Sequence, residues 1–334
     1  MTVRALSWAH GRLEVQSLGG MAGPIMFRLP DGRAVQPMQV APWAEEPGAA
    51  ELPGILRRLR GEWPCVPFGA DGARDLPEGW AADGPSFDGA AVAHGHGSHV
   101  DWRFLDPMPD RIALDCAYPD THPVRTLRRT LCPDPEAAAV DITLEVVTRR
   151  ACRLPLGLHP TFRLEEGDGV ELVPPDFRMG RVFPLPVDES SLLRPDAVFD
   201  SLGRVPTRAG GSVSLARLPL AERNEDLVQL CGVSGDVVLR RPREGYQVRL
   251  SWDTAHFPSV LLWISNRGRR QTPWNGRHLA VGIEPVCSAF DLGPAVSTGT
   301  NPIAAAGVAT AMAFAPDRPF ATAYRIAVEP LGAP

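Results

Sequence analysis

The sequence contains no lysine: all 34 of its basic residues are arginine. This excludes Schiff-base catalysis through a lysine amine, and it reads as a compositional bias rather than as chemistry. Basic residues never run longer than an arginine pair, and the formal net charge is -5. The chain therefore lacks the electrostatic footprint expected for nucleic acid or an anionic membrane surface, and small neutral or mildly charged ligands remain open. No stretch approaches the run of about eighteen apolar residues that a membrane span requires. The opening "MTVRALSWAHGRLEV" has no apolar segment of the secretory type, so a soluble cytoplasmic protein is expected. The six cysteines, at positions 65, 116, 132, 152, 231 and 287, form no C-x-x-C pair, which argues against a zinc ribbon or a thioredoxin-like site. Long amphipathic helical runs are scarce too.

What is present favours strands. With 334 residues, 44% of them apolar, the chain can bury a large core, and 35 prolines with 32 glycines suit many short strands joined by turns. Alternation is clear in "VDITLEVVT" (140–148), where Val140, Ile142, Leu144 and Val146 share one face. It recurs in "YQVRLSWD" (246–253) through Tyr246, Val248, Leu250 and Trp252, and again in the final "TAYRIAVEP". Such period-two patterns predict half-buried antiparallel strands. "SVLLWIS" (259–265) is continuously apolar and predicts a strand covered on both faces, as inside a layered sandwich. "AELPGILRRLRGE" offers the best helix, shortened by Pro53 and Gly54. Segments 69–90 and 174–196 read as long surface loops. No repeat or compositional break marks a boundary, so one all-β domain over residues 1–334, a large antiparallel β-sandwich, is expected.

Three stretches gather histidine and carboxylate beside glycine and proline: "AHGHGSHVDW" (93–102), "GLHPTF" (157–162) and "LAVGIEPVCSAFDLG" (279–293). Glu284 follows an apolar run, so a strand delivers a carboxylate to the point where Pro285 interrupts the ladder. It is either a tuned, buried group or an outward strand-end charge. His159, fixed by Pro160, is either a proton-transfer group or a structural histidine. Together they suit acid/base work on two different oxygens. His94, His96 and His99 raise a metal reading, since H-x-H on a strand places two rings on one face. Gly95 and Gly97 weaken the strand, however, and no glutamate follows at short spacing to complete the set. Arg60, before the turn "WPCVPFG", is placed to aim a guanidinium at a hydroxyl or phosphate. Trp63, Phe68, Trp102, Trp263 and Trp274 are candidates for a stacking wall.

These stretches resemble the aldose 1-epimerase (galactose mutarotase-like) superfamily. "GLHPTF" is similar to its G-x-H-P-[YF]-F stretch, "VGIEPVCSAFDLG" to its strand-borne E-P segment, and "AVAHGHGSHVDW" to its H-G loop before a tryptophan. "LRGEWPCVPFG" is similar to the R-G-G-x-P-x-x-[FW]-P-x-F-G stretch of the hexose-6-phosphate mutarotase branch, and the C-terminal "NPIAAAGVATAMAFAPDRPFATAYRIAV" to the family's last strands. The resemblance implies a galactose mutarotase-like supersandwich that interconverts the α and β anomers of a sugar, with neither cofactor nor metal. It implies His159 as general acid to the ring oxygen and Glu284 as general base to the anomeric hydroxyl, protonated and ionised respectively. His94 and Arg60 would bind the substrate, and Asp253 would stand for a substrate-binding aspartate. Two departures bear on the substrate. Ser98 replaces an arginine of the phosphate-sugar branch, which speaks against a sugar 6-phosphate, and Thr161 replaces an aromatic. The expected partner is a small-molecule sugar, with no nucleic acid and no membrane. Two alternatives stand beside the mutarotase: a non-catalytic carbohydrate-binding or regulatory protein of the same fold, and a metal enzyme built on His94, His96 and His99.

Overall fold

Every strand pairing in the two principal sheets is antiparallel, as the alternating segments predict. The computed structural model describes residues 1–332. One sheet has nine strands and is centred on Tyr246–Trp252, Phe320–Pro330, Ala139–Thr148 and Val124–Pro133. The other has eight and is centred on Asn224–Cys231, Ser259–Asn266 and Leu279–Cys287, with Leu156–Leu158 and Thr161–Arg163 both pairing to Leu279–Cys287. A separate four-stranded sheet begins with Val3–Trp8 and Gly11–Gln16.

One hydrophobic core takes side chains from both large sheets. Val140, Ile142, Leu144 and Val146 enter it from the nine-stranded sheet, and Val228, Leu230, Val260, Leu262, Ile264, Val281 and Ile283 from the eight-stranded one. Each such side chain contributes about 1.5–3 kcal/mol on burial. The opposite face of the eight-stranded sheet carries a second cluster, which includes Trp43, Trp63, Phe68, Leu227, Leu261, Trp263, Trp274, Val286 and Phe290. That sheet is thus covered on both sides, and all eight residues of Ser259–Asn266 are buried, as the uninterrupted apolar run predicts. Residue parity decides the face: even positions 260, 262 and 264 point into the inter-sheet core, and odd positions 261 and 263 into the second cluster.

Two local expectations need correction. The helix over residues 50–62 shrinks to a 3-10 turn, Ala49–Glu51, and one turn of α-helix, Gly54–Arg57. Pro53 starts that turn, and a Cβ on Gly54 would lie 2.5 Å from the His99 carbonyl, so this segment is held against the 93–99 loop. Segment 174–196 is not all loop, because Met179–Val182 joins the eight-stranded sheet beside Asn224–Cys231. Among the described residues no helix is long and apolar enough to cross a membrane.

Candidate active site

The second cluster does not close completely. It surrounds a cavity of about 300 Å³ whose lining includes Ile55, Leu56, Trp63, His94, His159, Trp263, Arg269, Trp274, Glu284 and Asp291.

Sheet register builds its floor. Leu156 and Gly157 pair with Cys287 and Val286, and after the His159-Pro160 interruption Thr161 and Phe162 pair with Gly282 and Val281. The register runs straight through, so His159 stands opposite Glu284. Across the interruption the His159 N–H turns away to the Trp63 carbonyl at 2.9 Å, while the Ile283 N–H still donates to the Pro160 carbonyl opposite it at 2.9 Å. His159 Nε2 lies 3.5 Å from Glu284 Oε1, and both residues are buried. The imidazole stacks on Trp63, with centroids 4.0 Å apart and an interplanar angle of 15°. Its Nδ1 lies 3.2 Å from the Thr161 hydroxyl. Thr161, which stands where the related stretch has an aromatic, therefore fixes the ring's rotation with Nε2 toward Glu284.

Burial acts on both members of the pair. It pushes His159 well below the usual histidine range, with His94 adding to the shift. It pushes Glu284 well above the usual carboxylate range, with Asp291 adding to it. Burial thus opposes the charged pair that the resemblance implies and favours neutral imidazole and neutral carboxylic acid. Both forms hold one shared proton and carry no net charge. Transfer of that proton from Glu284 to His159 converts one into the other.

His94 adopts the left-handed region at φ 56°, which is strained for a residue other than glycine. Its N–H donates to the Gly69 carbonyl at 2.9 Å, and its ring meets the edge of His159 with centroids 5.1 Å apart. Burial lowers it to about 4, so near neutrality it is a neutral ring, and its buried Nδ1 has no partner. The neighbouring histidines diverge from it. His96 packs against Tyr118, while His99 holds the Ile55 N–H and the Ala93 carbonyl. No group of three metal-ligating side chains gathers among the described residues, and the H-x-H segment 94–96 is a turn that leads into a 3-10 turn, His96–Ser98, rather than a strand. Ser98 is fully buried and donates to the His94 carbonyl at 2.7 Å; it shapes the loop.

Two expected substrate ligands lie elsewhere. Arg60 is buried outside the cavity lining, its guanidinium bound to Glu45 at 2.5 Å and to the Arg58 carbonyl at 3.1 Å. Asp253 sits in the turn after Tyr246–Trp252, half exposed, and faces His256 at 3.3 Å. Of the five proposed stacking residues, Trp63, Trp263 and Trp274 line the cavity; Phe68 and Trp102 do not.

Arg269 and Asp291 line the cavity without having been singled out by sequence pattern. The Arg269 guanidinium lies over Trp274, 4.6 Å from the ring centroid. Its Nε is 3.2 Å from the fully buried Glu225, which also accepts from Trp263 Nε1 at 2.6 Å and from the Ser265 hydroxyl at 3.1 Å. Glu225 was legible in principle: in "NEDLVQLC" it is two residues before Leu227 and so shares the cavity-facing side of its strand. Arg269 lies in an irregular loop where no periodicity operates.

Behind this wall His278 stacks on Trp263 at 5.3 Å. It contacts the Ser265 hydroxyl through Nδ1 at 2.9 Å, and burial lowers it to about 3. A depressed folded-state value means that the unfolded chain takes up the proton first as pH falls below about 6.5. The stability His278 contributes is present above that point and is lost toward pH 3. Relative to His278→Gln, the wild-type advantage in unfolding free energy is expected to shrink by about 1.4 kcal/mol per pH unit below 6.5. Urea titrations of both proteins at pH 7.5, 6.5, 5.5 and 4.5 measure this, and a pH-independent difference would rule it out.

The arrangement matches known structures in fold. No protein-family model matches the chain, and no curated protein matches it. Solved structures do. A galactose mutarotase-like protein from Lactobacillus casei ATCC 334 superposes with TM-score 0.63 at 14% identity, covering 98% of this chain and 100% of its own. A galactose mutarotase related enzyme from Lactobacillus acidophilus gives 0.58 at 13% identity over 99% and 100%. A GalM/aldose epimerase homologue from C. elegans gives 0.61 at 11% identity over 99% of both chains. The architecture is therefore a galactose mutarotase-like β-sandwich. Within that class, the chain shares the fold of the aldose 1-epimerase-like structures along nearly its whole length.

Proposed function

We propose that the protein is a mutarotase that interconverts the α and β anomers of an aldose, and that His159 and Glu284 carry the proton transfers. The observation that carries this reading is the 3.5 Å approach of His159 Nε2 to Glu284 Oε1 at the floor of a tryptophan-walled cavity sized for one sugar ring. Apolar faces of a pyranose stack on indoles, and hydroxyls meet the polar atoms set among them.

The proton inventory supports the chemistry. Proton transfer from Glu284 to His159 gives carboxylate and imidazolium. Glu284 then takes the proton of the anomeric hydroxyl, the bond from C1 to the ring oxygen breaks, and His159 protonates that oxygen. The products are the open aldehyde and the neutral pair that burial favours. Rotation about C1–C2 presents the other carbonyl face, and the same transfers in reverse close the ring. Net charge in the cavity stays constant throughout, so ring opening requires no proton exchange with solvent. The family resemblance and the shared fold support the same reading.

Two-dimensional NMR exchange spectroscopy on free aldoses tests it. Anomer exchange faster than the buffer rate is expected for at least one neutral monosaccharide. Buffer-rate exchange across a panel of hexoses and pentoses, with folded protein present, would overturn it and favour the non-catalytic carbohydrate-binding alternative.

A further inference from the structure

We propose that Asp291 is the specificity-determining residue of this cavity, accepting a sugar hydroxyl through Oδ1 and selecting neutral sugars over uronic acids and sugar phosphates. The reaction in question is the one proposed above; the ligand preference rests on the cavity itself.

The first observation is an unanswered acceptor. Asp291 lines the cavity, and its Oδ1 is buried without a hydrogen-bond partner among the described residues. A buried polar atom without a partner is costly, and a ligand hydroxyl is the group that would answer it there. The unpartnered Nδ1 of His94 and Nε1 of Trp63 border the same space, so an acceptor and candidate donors converge on it.

Asp291 is also held in place at a cost. The preceding Phe290 has φ 51°, an outlier for a bulky side chain, and such strain persists only where the surroundings impose it. Here the Phe290 N–H donates to Gln229 Oε1 at 2.8 Å, and Gln229, fully buried, donates in turn to the Ser288 carbonyl at 2.8 Å. The Ala289 N–H donates to the Ser297 hydroxyl at 3.1 Å. On the other side, a Cβ on Gly69 would fall 2.4 Å from the Asp291 carbonyl, while the Gly69 carbonyl accepts the His94 N–H. Gly69 thus clamps His94 and Asp291, both in strained surroundings, around one opening.

Charge decides the selectivity. Arg269 faces Glu225, the His159 and Glu284 pair holds one shared proton, and His94 is neutral near pH 7. The buried Cys65 thiol beside Glu284 is pushed up by burial and stays neutral. Asp291 is a cavity carboxylate with no arginine or histidine ion-pair partner among the described residues. An anionic sugar meets a like charge in a poorly solvated site, whereas a neutral hydroxyl donates to it.

The experiment compares wild type with Asp291→Asn, an isosteric change, after circular dichroism shows that both are folded. The probes are glucose, galactose, glucuronate, galacturonate and glucose 6-phosphate. Anomer exchange is followed by NMR, and binding by saturation transfer. The variant keeps an acceptor but loses its charge, and is expected to raise KM for the best neutral sugar about 3- to 10-fold. It should also narrow the preference for that sugar over its uronic acid by about tenfold or more. Because Asp291 raises the proton affinity of Glu284, the Glu284 limb of the kcat/KM profile should move to lower pH, a shift that a purely structural residue would not cause. Unchanged KM, preference and Glu284 limb would overturn the proposal. If no probe shows catalysed exchange but neutral sugars bind and the variant loses them, the assignment of Asp291 stands and the mutarotase reading falls. If no probe binds, both fall.

Discussion

Glu284→Gln is expected to lower kcat for anomer exchange by about 10²- to 10⁴-fold, the range that a positioned acid or base contributes, while the affinity for sugar changes only a few-fold. The amide keeps the size of the carboxyl group and an oxygen that accepts hydrogen bonds, so the stacking walls and the other polar atoms still hold the ring. What it loses is the site that gives up a proton to His159 and takes one from the anomeric hydroxyl. His159→Ala should cost a similar factor by removing the other end of the transfer. The double variant should lose little beyond either single one, because the two groups act as a unit. Stability works in the opposite direction to activity. Burial raises the proton affinity of Glu284, so its contribution is fullest below the ordinary carboxylate range and declines as pH rises through its shifted value. Glutamine does not titrate, and the variant is expected to be at least as stable as wild type at pH 8. Exchange spectroscopy and thermal unfolding measure the two effects separately. Anomer exchange at the wild-type rate in Glu284→Gln would show that another group is the base.

Much of the sandwich was readable because alternation is a local signal. Val140, Ile142, Leu144 and Val146 announce one face of a strand, and the structure buries that face. The pair at the centre of the site was readable through its short prolyl motifs, "LHP" and "IEP"; Pro160 falls where the pairing is interrupted, but Pro285 does not stop its strand, which runs on to Cys287 paired with Ser259–Asn266. What the sequence could not convey was which long-range neighbours complete the cavity. Arg269 comes from a loop without period, and its direction is set by Trp274 and Glu225, neither adjacent to it in sequence. Arg60 illustrates the converse. Standing beside a glycine before a turn, it is chemically suited to bind a ligand, yet Glu45 occupies its guanidinium. Whether a charged side chain is free or already paired depends on a residue fifteen positions away, and no pattern of residue types encodes that pairing. The ionisation of His159 and Glu284 is hidden from the sequence for a related reason: proximity argues for charge, burial argues against it, and burial is a property of the assembled sheet.

Gly282→Ala separates the position of the proposed catalytic carboxyl from its chemistry, and it is expected to reduce kcat about 100-fold in a protein that remains folded. Gly282 is two residues before Glu284 on Leu279–Cys287, so its missing side chain would point to the same face as the carboxyl group. A Cβ there would lie 2.4 Å from Glu284 Oε1, 3.3 Å from its Cδ and 3.1 Å from the Trp263 Cβ. The clash with Trp263 calls for an adjustment of a few tenths of an ångström. The clash with Oε1 calls for about 1 Å, and the softest response is rotation of the glutamate side chain away from His159. Displacement on that scale costs a well-aligned reaction about 10²-fold. The fold should tolerate the change, because the atom that yields is the end of a side chain and not backbone. Removing a strand glycine also recovers a fraction of a kcal/mol of conformational entropy. The expected signature is therefore a melting temperature within a few degrees of wild type, retained sugar binding by saturation transfer, and anomer exchange close to the buffer rate. Full activity in Gly282→Ala would mean that Glu284 does not work from the position opposite His159, and the assignment of that pair as acid and base would fail with it.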